Sequence, residues 1–325
     1  MTVLVVGGAG YIGSHMCLLL ANAGYEVIVL DNLSTGVREF AQSYIFYEGE
    51  LDDRELLKNI FQSHDVNTVM HFAAHIDVGE SVQNPSKYYR NNVFATQTLL
   101  DAMLEFSVDQ FIFSSTAAIF GDPEYIPIDE KHPRNPINPY GWSKLMVEQM
   151  LDDYDQAYGL KSICLRYFNA AGADPEGRVG ECHDPETHLI PLVLQVAAGR
   201  KQSLSIFGDD YETDDGTCVR DYIHVNDICH AHLLALDFLK ENNNSAQFNL
   251  GNGQGFSVQQ VIKETEDVVG KKITTLKADQ RIGDPAVLVA DSTAAKNALG
   301  WMPAHNQLKD IISHAWAWEK KQSKL

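Results

Sequence analysis

Tyr140 and Lys144 stand four positions apart behind Asn138-Pro139, and Ser114-Ser115-Thr116 closes an apolar run upstream of them. Asn138 is a helix N-cap type and Pro139 a first-turn type, so the spacing predicts a helix on which Tyr140 and Lys144 share one face, a turn apart. A phenol beside an ammonium can take a proton from a substrate. With an ordinary pKa of about 10, the phenol must lose about three units, near 4 kcal/mol, to act as a base at neutral pH. One positive charge 4 Å away is worth about 4 kcal/mol at an effective dielectric of 20. With 13 tyrosines in the chain, a Tyr-x-x-x-Lys match alone is what chance supplies. Thr116 adds weight, because a hydroxyl at the carboxyl end of a strand lies where doubly wound sheets bind their ligands.

A second constellation lies at the N-terminus. Gly8-Ala9-Gly10-Tyr11-Ile12-Gly13 fits Gly-x-Gly-x-x-Gly, and Gly7, Gly10 and Gly13 fit the Gly-x-x-Gly-x-x-Gly variant. Glycines permit the tight turn and let backbone N–H groups and a helix N-terminus approach a pyrophosphate. The pattern alone is weak, but it follows the apolar run Val3 to Val6 and opens a helical periodicity from Tyr11 to Ala23 that stops at Gly24. Asp31 stands 18 positions after Gly13, at the end of the next predicted strand. A carboxylate there accepts hydrogen bonds from an adenosine ribose and repels a 2′-phosphate, which favours NAD over NADP. The oxidised nicotinamide ring is positive, so with Lys144 it supplies the charge that Tyr140 needs.

The elements that position these residues read as a parallel sheet covered on both faces. Continuous apolar strands at Val3 to Val6, Glu26 to Leu30, Thr68 to Phe72, Phe111 to Ser115 and Lys161 to Tyr167 alternate with helical stretches near Asp53 to Gln62, Asn91 to Glu105 and Tyr140 to Tyr158. The expected fold class is α/β, a doubly wound Rossmann domain over 1–169, with a smaller α/β substrate-binding lobe. Beyond Asn169 the texture changes, with Gly, Pro, Asp and Glu thickening from Gly172 to Glu186. The chain is expected to rejoin the first sheet at about 220–250, through a helix from Val225 to Lys240 and a strand from Gln247 to Leu250, leaving 170–219 and 251–325 as the lobe.

Composition narrows the function further. The chain has 325 residues, 45% hydrophobic and 21% charged, and a formal net charge of −19. Such a field repels nucleic-acid phosphates and anionic lipid surfaces, which argues against broad nucleic-acid or membrane binding. The N-terminus runs directly into Val3 to Val6 with no signal-like stretch, and no run reaches the ~20 apolar residues of a membrane span. Five scattered cysteines without a Cys-x-x-Cys pair fit a reducing cytoplasm. Cys182, His183 and His188, like Cys229, His230 and His232, lack zinc spacing, so the sequence predicts no metal.

With these residues in place, the sequence resembles the extended short-chain dehydrogenase/reductase family, and within it the branch that epimerises UDP-hexoses at C4. The likeness runs over almost the whole chain, through Gly7 to Ser14, Leu30-Asp31-Asn32-Leu33, His71-Phe72-Ala73-Ala74, Val78-Gly79-Glu80-Ser81 and Tyr88-Tyr89-Arg90-Asn91-Asn92. It continues through Phe113 to Thr116, Pro139-Tyr140-Gly141, Ser143 to Glu148, Leu165 to Asn169 and Val219 to Val225. The resemblance implies that Tyr140 is the base, Lys144 its cofactor-linked partner and Thr116 the strand-end hydroxyl. It implies reversible 4-epimerisation of UDP-galactose and UDP-glucose through a transient 4-keto sugar, with hydride passing to bound NAD and returning to the other face. Around the cofactor it places Gly7, Gly10, Tyr11, Ile12, Gly13, Asp31, Asn32, Glu50, Leu51, Phe72, Ala73, Ala74, Asn91 and Tyr167 beside the catalytic pair. Around the nucleotide sugar it places Thr116, Asn169, His188, Leu189, Arg220, Tyr222, Arg281, Asp284 and Leu288, and it implies a homodimer through the helices near Asn91 to Glu105 and Tyr140 to Tyr158. An acidic chain with nine arginines needs its cations placed locally to bind a diphosphate, in keeping with Arg220 and Arg281.

Departures and rivals sharpen the expectation. Glu50 stands where many relatives have Asp, and Leu288 occupies the position that gates the sugar's 2-substituent, intermediate between the large and small residues found there. A UDP-N-acetylhexosamine epimerase is therefore an alternative, as is a UDP-glucuronate epimerase, although the low arginine count suits a sugar carboxylate poorly. A 4,6-dehydratase would carry Asp-Glu after the strand-end Thr, where this chain has Ala117-Ala118. From another class, a non-catalytic NAD-binding redox sensor has no need of Tyr140, Lys144 and Thr116 together.

Overall fold

The continuous apolar runs become strands whose alternate residues serve two different cores. On the first strand Val3 and Val5 face one apolar cluster while Leu4 and Val6 face another, all of them fully buried. The computed structural model describes residues 1–281 and 284–322. Its strands are β1 (Thr2–Val6), β2 (Glu26–Asp31), β3 (Ile45–Glu48), β4 (Val66–His71), β5 (Gln110–Thr116), β6 (Lys161–Tyr167), β7 (Asn169–Ala171), β8 (Leu204–Phe207), β9 (Val219–His224), β10 (Ala246–Leu250), β11 (Gly255–Ser257), β12 (Thr275–Ala278) and β13 (Val287–Leu288). The helices are α1 (Tyr11–Asn22), α2 (Arg54–Ser63), α3 (Val78–Gln83), α4 (Pro85–Tyr88), α5 (Ala95–Glu105), α6 (Pro139–Tyr158), α7 (Leu189–Ala197), α8 (Val225–Asn242), α9 (Val258–Val269), α10 (Thr293–Leu299) and α11 (Leu308–Gln322).

Seven strands form one parallel sheet in the order β10-β6-β5-β4-β1-β2-β3. The order reverses at β1, so the carboxyl ends of β1 and β4 flank a crevice, the usual ligand position in a doubly wound sheet. Helices α1, α8 and α10 cover one face, through Met16, Leu20, Ile228, Leu236 and Ala295. The other face is covered by α2, α5 and α6, through Leu57, Leu99, Leu100, Val147 and Leu151. The chain enters the second lobe after β6 and returns to the main sheet at β10.

That lobe consists of β7, β9, β11 and β13 in a mixed sheet and the parallel pair β8 and β12. Its apolar clusters gather Ile190 and Leu194 from α7, Val261 from α9 and Ile311 and Ile312 from α11. Asp221 on β9 ties the parts together, accepting from the backbone N–H of Asn252 at 2.7 Å, Gly253 at 3.0 Å and Ala290 at 3.2 Å. Among the described residues no helix is long and apolar enough to cross a membrane.

Candidate active site

The turn after β1 needs its glycines because side chains there would collide with the protein itself. Gly7 has φ +78°, and a Cβ on it would sit 2.6 Å from the Ala73 amide nitrogen. A Cβ on Gly13 would strike the Gly7 carbonyl oxygen. Gly10 caps α1 with no side-chain hydrogen bond, so the first-turn N–H groups of Tyr11, Ile12 and Gly13 point out of the helix end as an anion site. Asp31 braces the turn, its carboxylate accepting from the N–H of Ala9 at 2.9 Å and of Leu33 at 2.8 Å. Burial pushes its carboxyl up and those two bonds pull it back. Beside it the Asn32 amide donates to Glu50 at 2.9 Å, and Leu51 is buried. Phe72 follows β4 and packs on the His232 ring at 4.8 Å, with Ala73 and Ala74 next in the chain. A bare backbone cradle at a helix N-terminus, closed by a carboxylate at the end of the second strand, fits the pyrophosphate and ribose of NAD.

Tyr11 reaches away from the turn and donates from its hydroxyl to the Gly172 carbonyl at 2.7 Å, joining the cradle to the second lobe. Asn91 lies in a π-helical turn, Tyr89–Phe94, and its amide donates to Asn92 at 2.9 Å. Asn92 holds that turn in place. It donates to the His75 carbonyl and to the Ser143 hydroxyl at 3.0 Å each, and it accepts from the His75 N–H at 3.0 Å.

On α6 the Asn138 side chain caps the first turn through the Gly141 N–H at 2.8 Å. Tyr140, Lys144 and Glu148 then repeat every fourth residue along the face turned to β5 and β6. The Lys144 ammonium donates to the Ser114 carbonyl at 2.8 Å and lies 4.7 Å from the Phe113 ring centre. Burial lowers its pKa to about 7, against the charges of Glu148 and Cys164. The Tyr140 hydroxyl lies beside Thr116; burial pushes the phenol up and the Thr116 hydroxyl offsets part of the rise. The protein's own groups thus keep Tyr140 a phenol at rest. Tyr167, at the end of β6, lies beside Ser114 and is likewise pushed up by burial.

Glu148 bolts α6 to the sheet. Its carboxylate accepts from the Ser115 hydroxyl at 2.5 Å and from Arg166 at 2.9 and 2.6 Å, and Ser115 and Arg166 are register partners on β5 and β6. Sequence reading gave neither Glu148 nor Asn92 a role. The spacing of Glu148, one turn beyond Lys144, was the available signal; for Asn92 the π-helical register hid it.

Asn169, His188, Leu189, Arg220, Tyr222, Arg281 and Asp284 converge on one cleft of about 200 Å³ in the second lobe. Arg220 pairs with Asp284, and the Arg281 guanidinium lies 4.0 Å from the Phe207 ring centre, an aromatic neighbour that the sequence does not announce. The Asn169 amide donates to the Asp221 carbonyl at 3.1 Å. Leu288 is absent from this lining. It pairs in register with Arg220 on β9 and packs against the cluster of Ile119, Phe120 and Ile128, which adjoins Ala117 after Thr116. His188 is held by Glu181 at 2.8 Å and Glu186 at 3.0 Å. Burial opposes its charge, but the two carboxylates outweigh that and raise it to about 10. A separate polar cavity of about 500 Å³, between Arg134, Asp152, Arg166 and Gln247, carries both signs of charge and none of the residues of the lobe cleft.

Comparison with known proteins bears on this arrangement. Residues 3–251 match the model of the NAD dependent epimerase/dehydratase family. A protein of Halalkalibacterium halodurans named UDP-glucose 4-epimerase is 53% identical over 99% of this chain and 96% of its own. The crystal structure of UDP-glucose 4-epimerase from Brucella ovis in complex with NAD superposes with a TM-score of 0.95, at 48% identity and 97% coverage of both chains. That of the Bifidobacterium longum enzyme in complex with NAD⁺ and UDP gives a TM-score of 0.95, at 38% identity and 99% coverage of both.

Proposed function

This chain belongs to the NAD dependent epimerase/dehydratase family, and from that premise we propose that it interconverts UDP-glucose and UDP-galactose by reversible inversion at C4. The observation that carries the reading is the meeting of Tyr140, Thr116 and Lys144 at the carboxyl end of β5, between the glycine cradle and the lobe. Bound NAD supplies the hydride acceptor and donor for C4, and its positive ring lowers the Tyr140 phenol from the level set by burial. Tyr140 takes the proton of the C4 hydroxyl as the sugar is oxidised and gives it back on reduction. Thr116 hydrogen-bonds the same oxygen, and Lys144 fixes the positive charge beside it. The two hydride transfers use opposite faces of the 4-keto sugar, so the nucleotide must be held while the hexose turns. Arg220 and Arg281 hold the diphosphate and uridine in the lobe cleft, Asp284 keeping Arg220 in place.

Leu288, set between Arg220 and the segment after Thr116, limits the room at the sugar's 2-position. A homodimer in the cytoplasm completes the reading. Phe94, Trp142 and Met146 expose apolar surface on the π turn and α6, and the five cysteines are free thiols that suit a reducing compartment. Light scattering that shows only monomer at micromolar concentration would remove the dimer.

The deciding experiment incubates purified protein with UDP-galactose, and separately with UDP-N-acetylgalactosamine, and follows the sugar protons by NMR. UDP-glucose should form without added cofactor. No conversion of UDP-galactose even after NAD is added would sink the epimerase reading, and the second substrate reports whether Leu288 opens the 2-position.

A further inference from the structure

Where the chain leaves the main sheet for the second lobe, the short stretch from Glu181 to His188 folds four metal-ligating side chains onto one point. One ligand atom each from Glu181, His183, Glu186 and His188 can be chosen so that all lie within 4.8 Å of one another. Glu181 is at the centre: its Oε1 is 3.0 Å from Nδ1 of His183 and 2.8 Å from Nδ1 of His188, which in turn is 3.0 Å from Oε1 of Glu186. Both carboxylate side chains are almost wholly buried, 6% and 5% exposed, and the His183 side chain is 19% exposed. Cys/His spacing alone assigns no metal here, because half of the donor set is carboxylate.

We propose that these four residues form a site for a divalent transition-metal ion of the zinc class, at the wall of the nucleotide cleft. Two imidazoles and two carboxylates are the donor set of zinc and its neighbours; magnesium and calcium prefer all-oxygen shells. An ion held at about 2.1 Å from four donors needs them about 3.4 Å apart. The pairs that now share protons at 2.8 to 3.0 Å therefore open by a few tenths of an ångström to admit it. Two buried carboxylates offset the ion's charge without help from solvent. His188 and Thr187 line the cleft, so an open coordination position faces it. The Glu186 Oε1 atom also accepts from the backbone N–H groups of Thr187 and His188 at 2.7 Å each, which holds that carboxylate in place. Tyr140, Lys144 and Thr116 are not among its donors, although His188 also lines the nucleotide cleft, and its existence does not depend on the reaction proposed above.

The test uses the full-length enzyme freed of metal by a chelator and exchanged into chelator-free buffer. Isothermal titration with Zn²⁺ should show one site of micromolar or tighter affinity, and Mg²⁺ at the same concentrations should show none. Co²⁺ should give the visible bands of a four-coordinate N/O site without a thiolate charge-transfer band, which separates this cluster from Cys182 next to it. His183→Asn should weaken Zn²⁺ binding at least about tenfold while leaving metal-free turnover and the thermal midpoint as they were, and Cys182→Ser should leave binding unchanged. Absence of a one-to-one Zn²⁺ site in the unmodified enzyme, its survival at full strength in His183→Asn, or its loss in Cys182→Ser would overturn the proposal. Should His183→Asn fail to fold, Glu181→Gln and the Co²⁺ spectrum of the unmodified enzyme decide it.

Discussion

A single hydroxyl carries the proposed proton transfer, and its surroundings say what its removal does. Tyr140 sits against Thr116, and the Thr116 hydroxyl also accepts from the Ala118 N–H at 3.1 Å, so Tyr140→Phe leaves Thr116 with a partner. The variant should fold, keep NAD bound and lose turnover by about 10² to 10⁴ fold, the range of a lost general acid–base group. NMR of the sugar protons and absorbance of released nucleotide read the two quantities. Turnover above a few per cent of the parent would move the proton transfer to another group. At this scale much of the site was legible, because a helical spacing of four puts Tyr140 and Lys144 on one face whatever the tertiary fold. The seven lobe residues came from family likeness, since contacts between segments as distant as Asn169 and Asp284 leave no local pattern. The partner that Arg281 takes, Phe207, stayed hidden for the same reason.

Helix α6 shows how an element turns such residues into a site. Its buried face presents Tyr140, Lys144 and Glu148 in sequence, and the last of these locks the helix to β5 and β6 through Ser115 and Arg166. Glu148→Ala leaves the Arg166 guanidinium, 2% exposed, without its counter-ion, and should cost about 3–5 kcal/mol of stability. The double change Glu148→Met with Arg166→Met should recover much of that loss, because paired charges are removed together. Urea unfolding of the two variants against the parent checks both, and a recovery absent from the double would mean the loss is one of packing. A second element, the turn into α1, answers to Gly7→Ala: the φ of +78° and the 2.6 Å approach to Ala73 leave no place for a methyl group. That variant should lose bound NAD, read as absorbance in the purified protein, before it loses the fold. The central strands were legible from continuous apolar runs. Strand β3 was not, because its edge position leaves Ile45 and Glu48 exposed and Phe46 and Tyr47 only partly covered.

For the molecule as a whole, the proton economy of the folded state sets its response to acid. His15, His71, His224 and His232 are all buried, and burial holds them neutral, with pKa lowered to about 4, 3, 2 and 4. Lys144 adds to the effect on His71, and His305, His314 and His15 add to it on His224. In the unfolded chain each returns to its ordinary value near 6.5, so below that pH the unfolded state binds protons that the folded state refuses. The stabilisation that these four contribute is therefore complete above about pH 7 and falls as pH drops, by about 1.4 kcal/mol per unit for each histidine, or about 5.6 for the four. Asp221 works in the opposite sense. Burial raises its carboxyl to about 6, so between there and the ordinary carboxylate value the folded state takes up the proton and gains about 1.4 kcal/mol per unit. Relief of the net charge of −19 on approaching the pI of 4.9 also favours the compact state. Burial also raises the carboxyls of Asp31, Glu130 and Asp152, but four histidines lowered by about two units or more leave the first effect in command, and the urea midpoint should drop steeply between pH 6.5 and 5 although the protein is nearing its pI. His224→Gln should make that limb shallower by about a quarter. A midpoint that stays level or rises over this interval would mean that charge relief, and not buried imidazole, governs stability in acid.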